Sequence, residues 1–202
     1  VSFTLQKDNP TFNQKVVIRR EALKLIDSPV IMETHGGAGK LFDACYSHLG
    51  TGLVFEKDPH KAGLLGLQRP TWAVYEADCE AAIADGVGSH LAVNLLDLDP
   101  YGDPWPIIDA FFQSDRPRPA RLIVVVNDGL RHRVNMNLSW CTATLQPMVS
   151  KYGNVIYPIY LEICRELMTE KSAQAGYKLM RFAGYYTGHE KQMTHYLAVL
   201  NQ

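Results

Sequence analysis

Cysteine is scarce in this 202-residue chain: only Cys45, Cys79, Cys141 and Cys164 occur, far apart. With four scattered cysteines and no Cys-x-x-Cys, neither a disulfide framework nor a structural zinc site is expected. Thiols so scattered are expected as reduced core residues of a cytoplasmic protein. The seven histidines show no metal spacing either, so no metal is expected. Long apolar runs are also missing. None approaches the roughly 18 residues of a membrane span, and residues 1–28 mix charged and apolar positions rather than forming a secretory signal. Charge of one sign is lacking too, with 20 Lys and Arg against 21 Asp and Glu and a net charge of -1. A chain-wide basic footprint for nucleic acid is therefore absent, and such a substrate would need a local patch.

Apolar residues, in contrast, make up 47% of the chain, enough at this length to bury a core without metal or disulfides. Neither repeats nor linker-like tracts interrupt it, and one domain is expected over 1–202, with a helical extension over 1–28 and the core over 29–202. Short β-rich runs alternate with helix-compatible stretches: Val30 to Glu33, Gly52 to Glu56, Trp72 to Glu76, Leu91 to Leu96 and Leu122 to Val126 read as strands. The last two are nearly continuous apolar runs, the mark of strands covered on both faces, which predicts a parallel, doubly wound α/β sheet. Leu41 to Leu49 and Pro59 to Leu67 read as helices, the second with Asp58 as N-cap and Pro59 at its first position. Ile159 to Lys171 repeats apolar residues at helical spacing, and strand-like runs follow at Lys178 to Tyr186 and Gln192 to Leu200. The turn Thr187 to Lys191 between them predicts an antiparallel hairpin at the sheet edge.

Behind the first strand stands Glu33-Thr34-His35-Gly36-Gly37-Ala38-Gly39-Lys40-Leu41. Glycines in a strand-to-helix turn let the backbone approach a ligand and aim a helix N-terminus at it. A phosphate-binding P-loop would need glycine at position 34 and Ser or Thr at 41, where Thr34 and Leu41 stand. The dinucleotide fingerprint would need Gly or Ala at position 42, which is Phe42. What fits is an acid closing a strand, then E-x-x-x-G-x-G on Glu33, Gly37 and Gly39. Two more strand ends supply acids: Glu56, suited to both hydroxyls of a ribose, and Asp78, with Glu76 as its alternative, suited to an adenine amino group. This series resembles the class I S-adenosylmethionine-dependent methyltransferases, whose Rossmann-like sheet has five parallel strands finished by an antiparallel hairpin, seven in all. The resemblance implies S-adenosyl-L-methionine as cofactor, contacted by Glu33, His35, Gly36, Gly37, Gly39, Glu56, Lys57, Asp78, Cys79 and Asp97. Each acid also has a plainer reading: Asp58 caps a helix, and Glu56 and Asp78 are solvated strand ends.

The fourth run leads into Asp97-Leu98-Asp99-Pro100-Tyr101-Gly102-Asp103-Pro104-Trp105. An aromatic amine delocalises its lone pair into the ring and is a poor nucleophile. A carboxylate and a backbone carbonyl that accept its two hydrogens favour a localised lone pair and orient the nitrogen. Asp99 would supply the carboxylate, Pro100 the carbonyl and Tyr101 a stacking face. The stretch resembles the Asp-Pro-Phe-Gly-Ser-Pro motif of tRNA guanine N2-dimethyltransferases, with Tyr101 for Phe and Asp103 for Ser. Upstream, Thr11-Phe12-Asn13-Gln14 and Arg19-Arg20-Glu21 are similar to that family's Phe-Tyr-Asn-Pro and Asn-Arg-Asp segments, with Gln14 for Pro and Arg19 for Asn. The likeness covers about residues 11 to 130 and is specific only at 97–104.

A substrate reader is expected among Tyr101, Trp105, Arg131 and Arg133, near the strands' carboxyl ends, with Trp140 close behind in the chain. Arg116 and Arg118 fall at the opposite end of the fifth strand, and Lys15, Arg19 and Arg20 read as a solvated helix face. Together these residues point to methylation of an exocyclic amino group of a nucleobase in RNA or DNA. The competing readings are methylation of a protein amide or a small molecule, and a cofactor-binding module without transfer activity.

Overall fold

The structure, a computed structural model, describes residues 11–136 and 142–202. Trp140 and Cys141 lie outside the described residues, as does the start of the expected N-terminal extension. The first described element, helix α1 (Phe12–Leu23), precedes the strands β1 (Ile31–Glu33), β2 (Gly52–Glu56), β3 (Ala73–Glu76), β4 (Leu95–Leu98) and β5 (Arg121–Asp128). Helices α2 (Pro59–Gln68), α3 (Cys79–Ala84) and α4 (Trp105–Gln113) connect them. After β5 come α5 (Leu130–Met136), α6 (Gln146–Tyr152) and α7 (Tyr160–Gln174), then β6 (Lys178–Thr187) and β7 (Met193–Asn201). The seven strands form one sheet in the order β3-β2-β1-β4-β5-β7-β6. The first five are parallel, and β7 runs antiparallel to both β5 and β6. The expected doubly wound sheet with its C-terminal hairpin is therefore present.

Because the chain winds outward from β1 to β3 and then crosses back to β4, strand order reverses between β1 and β4. Open α/β sheets bind ligands at such a switch, outside the strands' carboxyl ends. Side chains alternate across the sheet, so Ile31, Leu95, Ile123 and Val125 pack one face against Ile18 and Ala22 of α1 and against Phe42, Tyr46 and Trp72. Leu96, Leu98, Val124 and Val126 pack the other against Trp105, Ile108, Ile163 and Leu167.

Three local readings need correction. The fourth strand begins at Leu95, not Leu91, and just ahead of it the Asn94 side chain ties the chain to the segment before β1, accepting from Val30 N (2.7 Å) and donating to Ser28 O (2.9 Å). Asp97 thus sits inside β4 rather than after it. The segment expected as a helix over 41–49 contains a π-helical turn, Phe42–Tyr46. Finally, Lys15 and Arg19 are not a solvated face, for both are buried at 7% and 0% exposure, and only Arg20 is exposed. Arg116 and Arg118 do fall away from the switch: Arg116 stacks on Phe111 (4.6 Å) and Arg118 donates to Phe112 O (2.8 Å), at the end of α4. Among the described residues no helix is long and apolar enough to cross a membrane.

Candidate functional site

The glycine turn is built for close approach. Gly37 has φ 54, a conformation that side-chain-bearing residues rarely adopt, and nothing lies within 4 Å of where its Cβ would sit. A Cβ on Gly36 would instead meet Leu65 and Val54 at 2.4 and 2.7 Å, so this glycine lets the turn settle onto α2 and β2. Gly39 closes the turn by donating to Gly36 O (3.0 Å). At the end of β2, Glu56 accepts from Gly37 N (2.8 Å) and Asp58 N (3.0 Å), which ties the acid to the turn. Lys57 beside it is exposed. Asp58 is a helix N-cap, as its plainer reading had it, accepting from Lys61 N, and Asp78, expected as a solvated strand end, also caps a helix, accepting from Ala81 N. The exposed Asp78 stands one residue before Cys79, whose Sγ lies 3.9 Å from His35 Nε2. Burial pushes the Cys79 thiol up to about 12 and the His35 imidazole down, so both are neutral near pH 7.

Two of the expected cofactor acids are sealed instead. Glu33 is 2% exposed and pairs with the buried Arg69 of the α2–β3 connection. Burial pushes its carboxyl up to about 7 against the pull of Arg69. Asp97 is 1% exposed, with Arg19 Nε and Nη2 on its two oxygens (2.7 and 2.6 Å) and Tyr46 Oη on one of them (2.7 Å). Neither side chain presents a free charge to a ligand. Asp97 still shapes the turn through its carbonyl, which accepts from Thr34 N (3.0 Å).

Asp99, two residues on and just past the end of β4, reaches toward α1 as Asp97 does. Both its oxygens accept from Lys15 Nζ, at 2.6 and 2.7 Å, and its side chain keeps 20% exposure. Burial acts to raise its pKa, but Lys15 and then Arg19 outweigh it and hold the carboxyl below the usual range. Pro100 is buried, Tyr101 is fully exposed and Gly102 turns the chain at φ 131 with Arg133 against it. The two aromatics expected to read a substrate therefore part company. Trp105 is 0% exposed and stacks on Tyr196 at 6.4 Å, a core residue with no face for a ligand. Arg131 also leaves the expected reader. It lies between the rings of Tyr157 and Tyr186, 3.8 Å from each centroid, and donates to the carbonyls of Tyr157 and Lys191, stapling the β6–β7 turn. Arg133 remains exposed.

Reading the sequence missed Lys15, Arg19, Tyr46 and Arg69. A signal for the first two existed. Residues four apart on a helix share a face and rise about 6 Å, and residues two apart on a strand share a face and span about 6.6 Å. Lys15 and Arg19 therefore match Asp99 and Asp97 with α1 antiparallel to β4.

No family model and no curated protein matches this chain. Solved structures do match. Trm1 from Pyrococcus horikoshii, in complex with S-adenosyl-L-methionine, superposes with a TM-score of 0.68 at 14% identity, over 94% of this chain and 54% of that one. The chain thus spans about half the length of that structure. The N-methyltransferase NodS from Bradyrhizobium japonicum WM9, with S-adenosyl-L-homocysteine, gives 0.62 at 13% identity, covering 97% and 89%. TYW2 from M. jannaschii, with AdoMet, gives 0.55 at 13% identity, covering 94% and 77%. The fold is that of the class I methyltransferases. At these identities the likeness establishes architecture, and function must rest on the site. In this methyltransferase fold the open glycine turn and Glu56 lie on one side of the β1/β4 switch, and Asp99 with Tyr101 on the other.

Proposed function

We propose that the chain is an S-adenosylmethionine-dependent methyltransferase acting on an exocyclic amino group of a nucleobase in RNA or DNA. The observation that carries the cofactor reading is the tie between Gly37 and Glu56: an open, left-handed glycine whose N–H holds the carboxylate of the next strand end. That arrangement leaves Glu56 lone pairs for a ribose diol and a bare backbone for the rest of the ligand, with Asp78 and Cys79 at the following strand end. When bound, the cofactor would supply an electrophilic methyl group on a sulfonium. The chain's own part is orientation. Asp99 offers two carboxylate oxygens beside the cofactor turn, Pro100 fixes the backbone behind it, and Tyr101 presents an unshielded ring on which a base can stack. Arg133, exposed beside Gly102, is placed to meet a phosphate.

Calorimetric titration with S-adenosylmethionine tests the cofactor reading. Glu56→Ala should weaken binding by about tenfold or more, the loss of one charge-assisted hydrogen bond of roughly 1.5–3 kcal/mol. Transfer of labelled methyl from the cofactor to tRNA, rRNA or DNA then tests the substrate. Absence of binding by the unaltered chain would sink the whole reading, and transfer only to proteins or small molecules would sink the nucleobase part.

A further inference from the structure

We infer that Lys15 is a positioning residue for the proposed reaction, a clamp that keeps Asp99 an ionised, oriented hydrogen-bond acceptor rather than a base. This rests on the reading of Asp99 as the acceptor of the substrate amine. Lys15 Nζ lies 2.6 and 2.7 Å from the two carboxylate oxygens, within the first turn of α1, and its side chain is 9% exposed. A carboxylate has about four lone-pair sites, so a cation shared between both oxygens fixes the plane of the group and still leaves acceptor capacity on its exposed edge. The contact holds Asp99 without blocking it.

The other groups around Asp99 come after Lys15, since the charge of Arg19 and the side chain of Asn127 also favour the ionised carboxyl but to a smaller extent. Arg19, also on α1, is committed to Asp97 of β4 through Nε and Nη2 and donates Nη1 to Lys15 O (3.0 Å), which braces the clamp. Asn127 of β5 is neutral and fully buried. His195 of β7, in register with Asn127, is 0% exposed, and burial with Lys15 and Arg19 nearby pushes it down to about 4. Its tautomer follows from Tyr185 of β6, whose single hydroxyl proton goes to Gln14 O (2.9 Å). His195 Nδ1 (3.3 Å) must then donate to that hydroxyl. A neutral imidazole with a bare Nε2 cannot supply a second positive charge. His35, at the start of the glycine turn, is held neutral by its own burial. Among the described residues, Lys15 is thus the cation in direct contact with Asp99.

The chemical consequence concerns one proton. In the proposed transfer the amine lone pair would form the N–C bond as the S–C bond of the sulfonium breaks with its electrons going to sulfur, and one N–H proton must then leave, its electron pair staying on nitrogen. A carboxylate pinned by an ammonium is a poor place for it, so Asp99 orients the amine and water takes the proton.

The test reads Asp99 directly. Carbon-13 carboxyl NMR of the aspartate-labelled protein, with the Asp99 signal assigned by its loss in Asp99→Asn, should show a midpoint below the ordinary aspartate value. In Lys15→Met, or Lys15→Gln should the apolar chain fail to fold, that midpoint should rise by about one unit or more. Lys15→Arg should keep it low. A midpoint unmoved in the neutral variant, or one that moves as far in Lys15→Arg, overturns the inference. Titrating the unaltered sample with S-adenosylmethionine keeps the two proposals apart, because a missing heat of binding would remove the methyltransferase reading while the carboxyl titration still decides the clamp.

Discussion

Two buried carboxylates at the carboxyl ends of neighbouring strands are stabilised in opposite ways. Asp97, on the α1 side of β4, is met by a guanidinium on both oxygens. Asp128, ending β5 and fully buried, is met among the described residues by neutral donors: Leu130 N at 2.7 Å, Tyr160 Oη at 3.0 Å and Cys164 Sγ at 3.7 Å. Burial pushes Asp128 from its ordinary 3.8 up to about 7, since hydrogen bonds from neutral groups do not offset the lost hydration of a charge. Around these two acids, then, the α1 side supplies paired charge and the α7 side neutral hydrogen bonds. The difference matters for the site, because Asp99 stands on the charged side, two residues beyond Asp97.

The largest test of that contrast is Arg19→Met. It leaves Asp97 buried with only Tyr46 as donor and should lower stability by about 3–5 kcal/mol in urea unfolding. Adding Asp97→Asn should return much of the loss, because the stranded charge goes with it. A single variant as stable as the unaltered chain would show that the pair is not needed to neutralise the strand.

How much of this was legible beforehand differs between the two regions. The sheet and the acids at its strand ends could be read because each depends on local order, an apolar run followed by Glu33, Glu56 or Asp99. The ion partners could not, since Arg19 and Lys15 lie 78 and 84 positions away from their acids and a helix bearing basic residues reads as solvated. Trp105 misled for a related reason. A tryptophan among acids and prolines looks like a surface reader, yet it opens α4 and turns inward onto Tyr196, while Tyr101 four positions earlier is wholly exposed. Sequence shows that an aromatic is there, whereas helix phase decides which side of the surface it occupies.

A smaller effect is expected from Asp128→Asn, which sharpens the comparison through pH. Asp128 has a folded pKa above its unfolded one. The stability it contributes is fully present below about pH 4 and is lost as pH rises through about 7. The asparagine variant should match the unaltered chain within about 1 kcal/mol at pH 4 and gain on it by a few kcal/mol toward pH 8. A constant difference across that range would mean that Asp128 is ionised throughout, like the paired acids across the sheet.

The smallest effect should come from Tyr160→Phe, which removes the hydroxyl shared by the two Asp128 oxygens at 3.0 and 3.3 Å. Near pH 5 the carboxyl is neutral, and losing a neutral hydrogen bond should lower stability by about 1 kcal/mol. Near pH 8 the hydroxyl donates to a carboxylate, a bond worth roughly 1.5–3 kcal/mol, so the penalty should grow with pH. The reason is that Tyr160 favours the ionised form of Asp128, and without it the carboxyl holds its proton to still higher pH. Unfolding in urea at the two pH values reads the difference. A penalty that shrinks as pH rises would place a compensating cation near Asp128 and erase the distinction between the neutral and the charged side of the sheet.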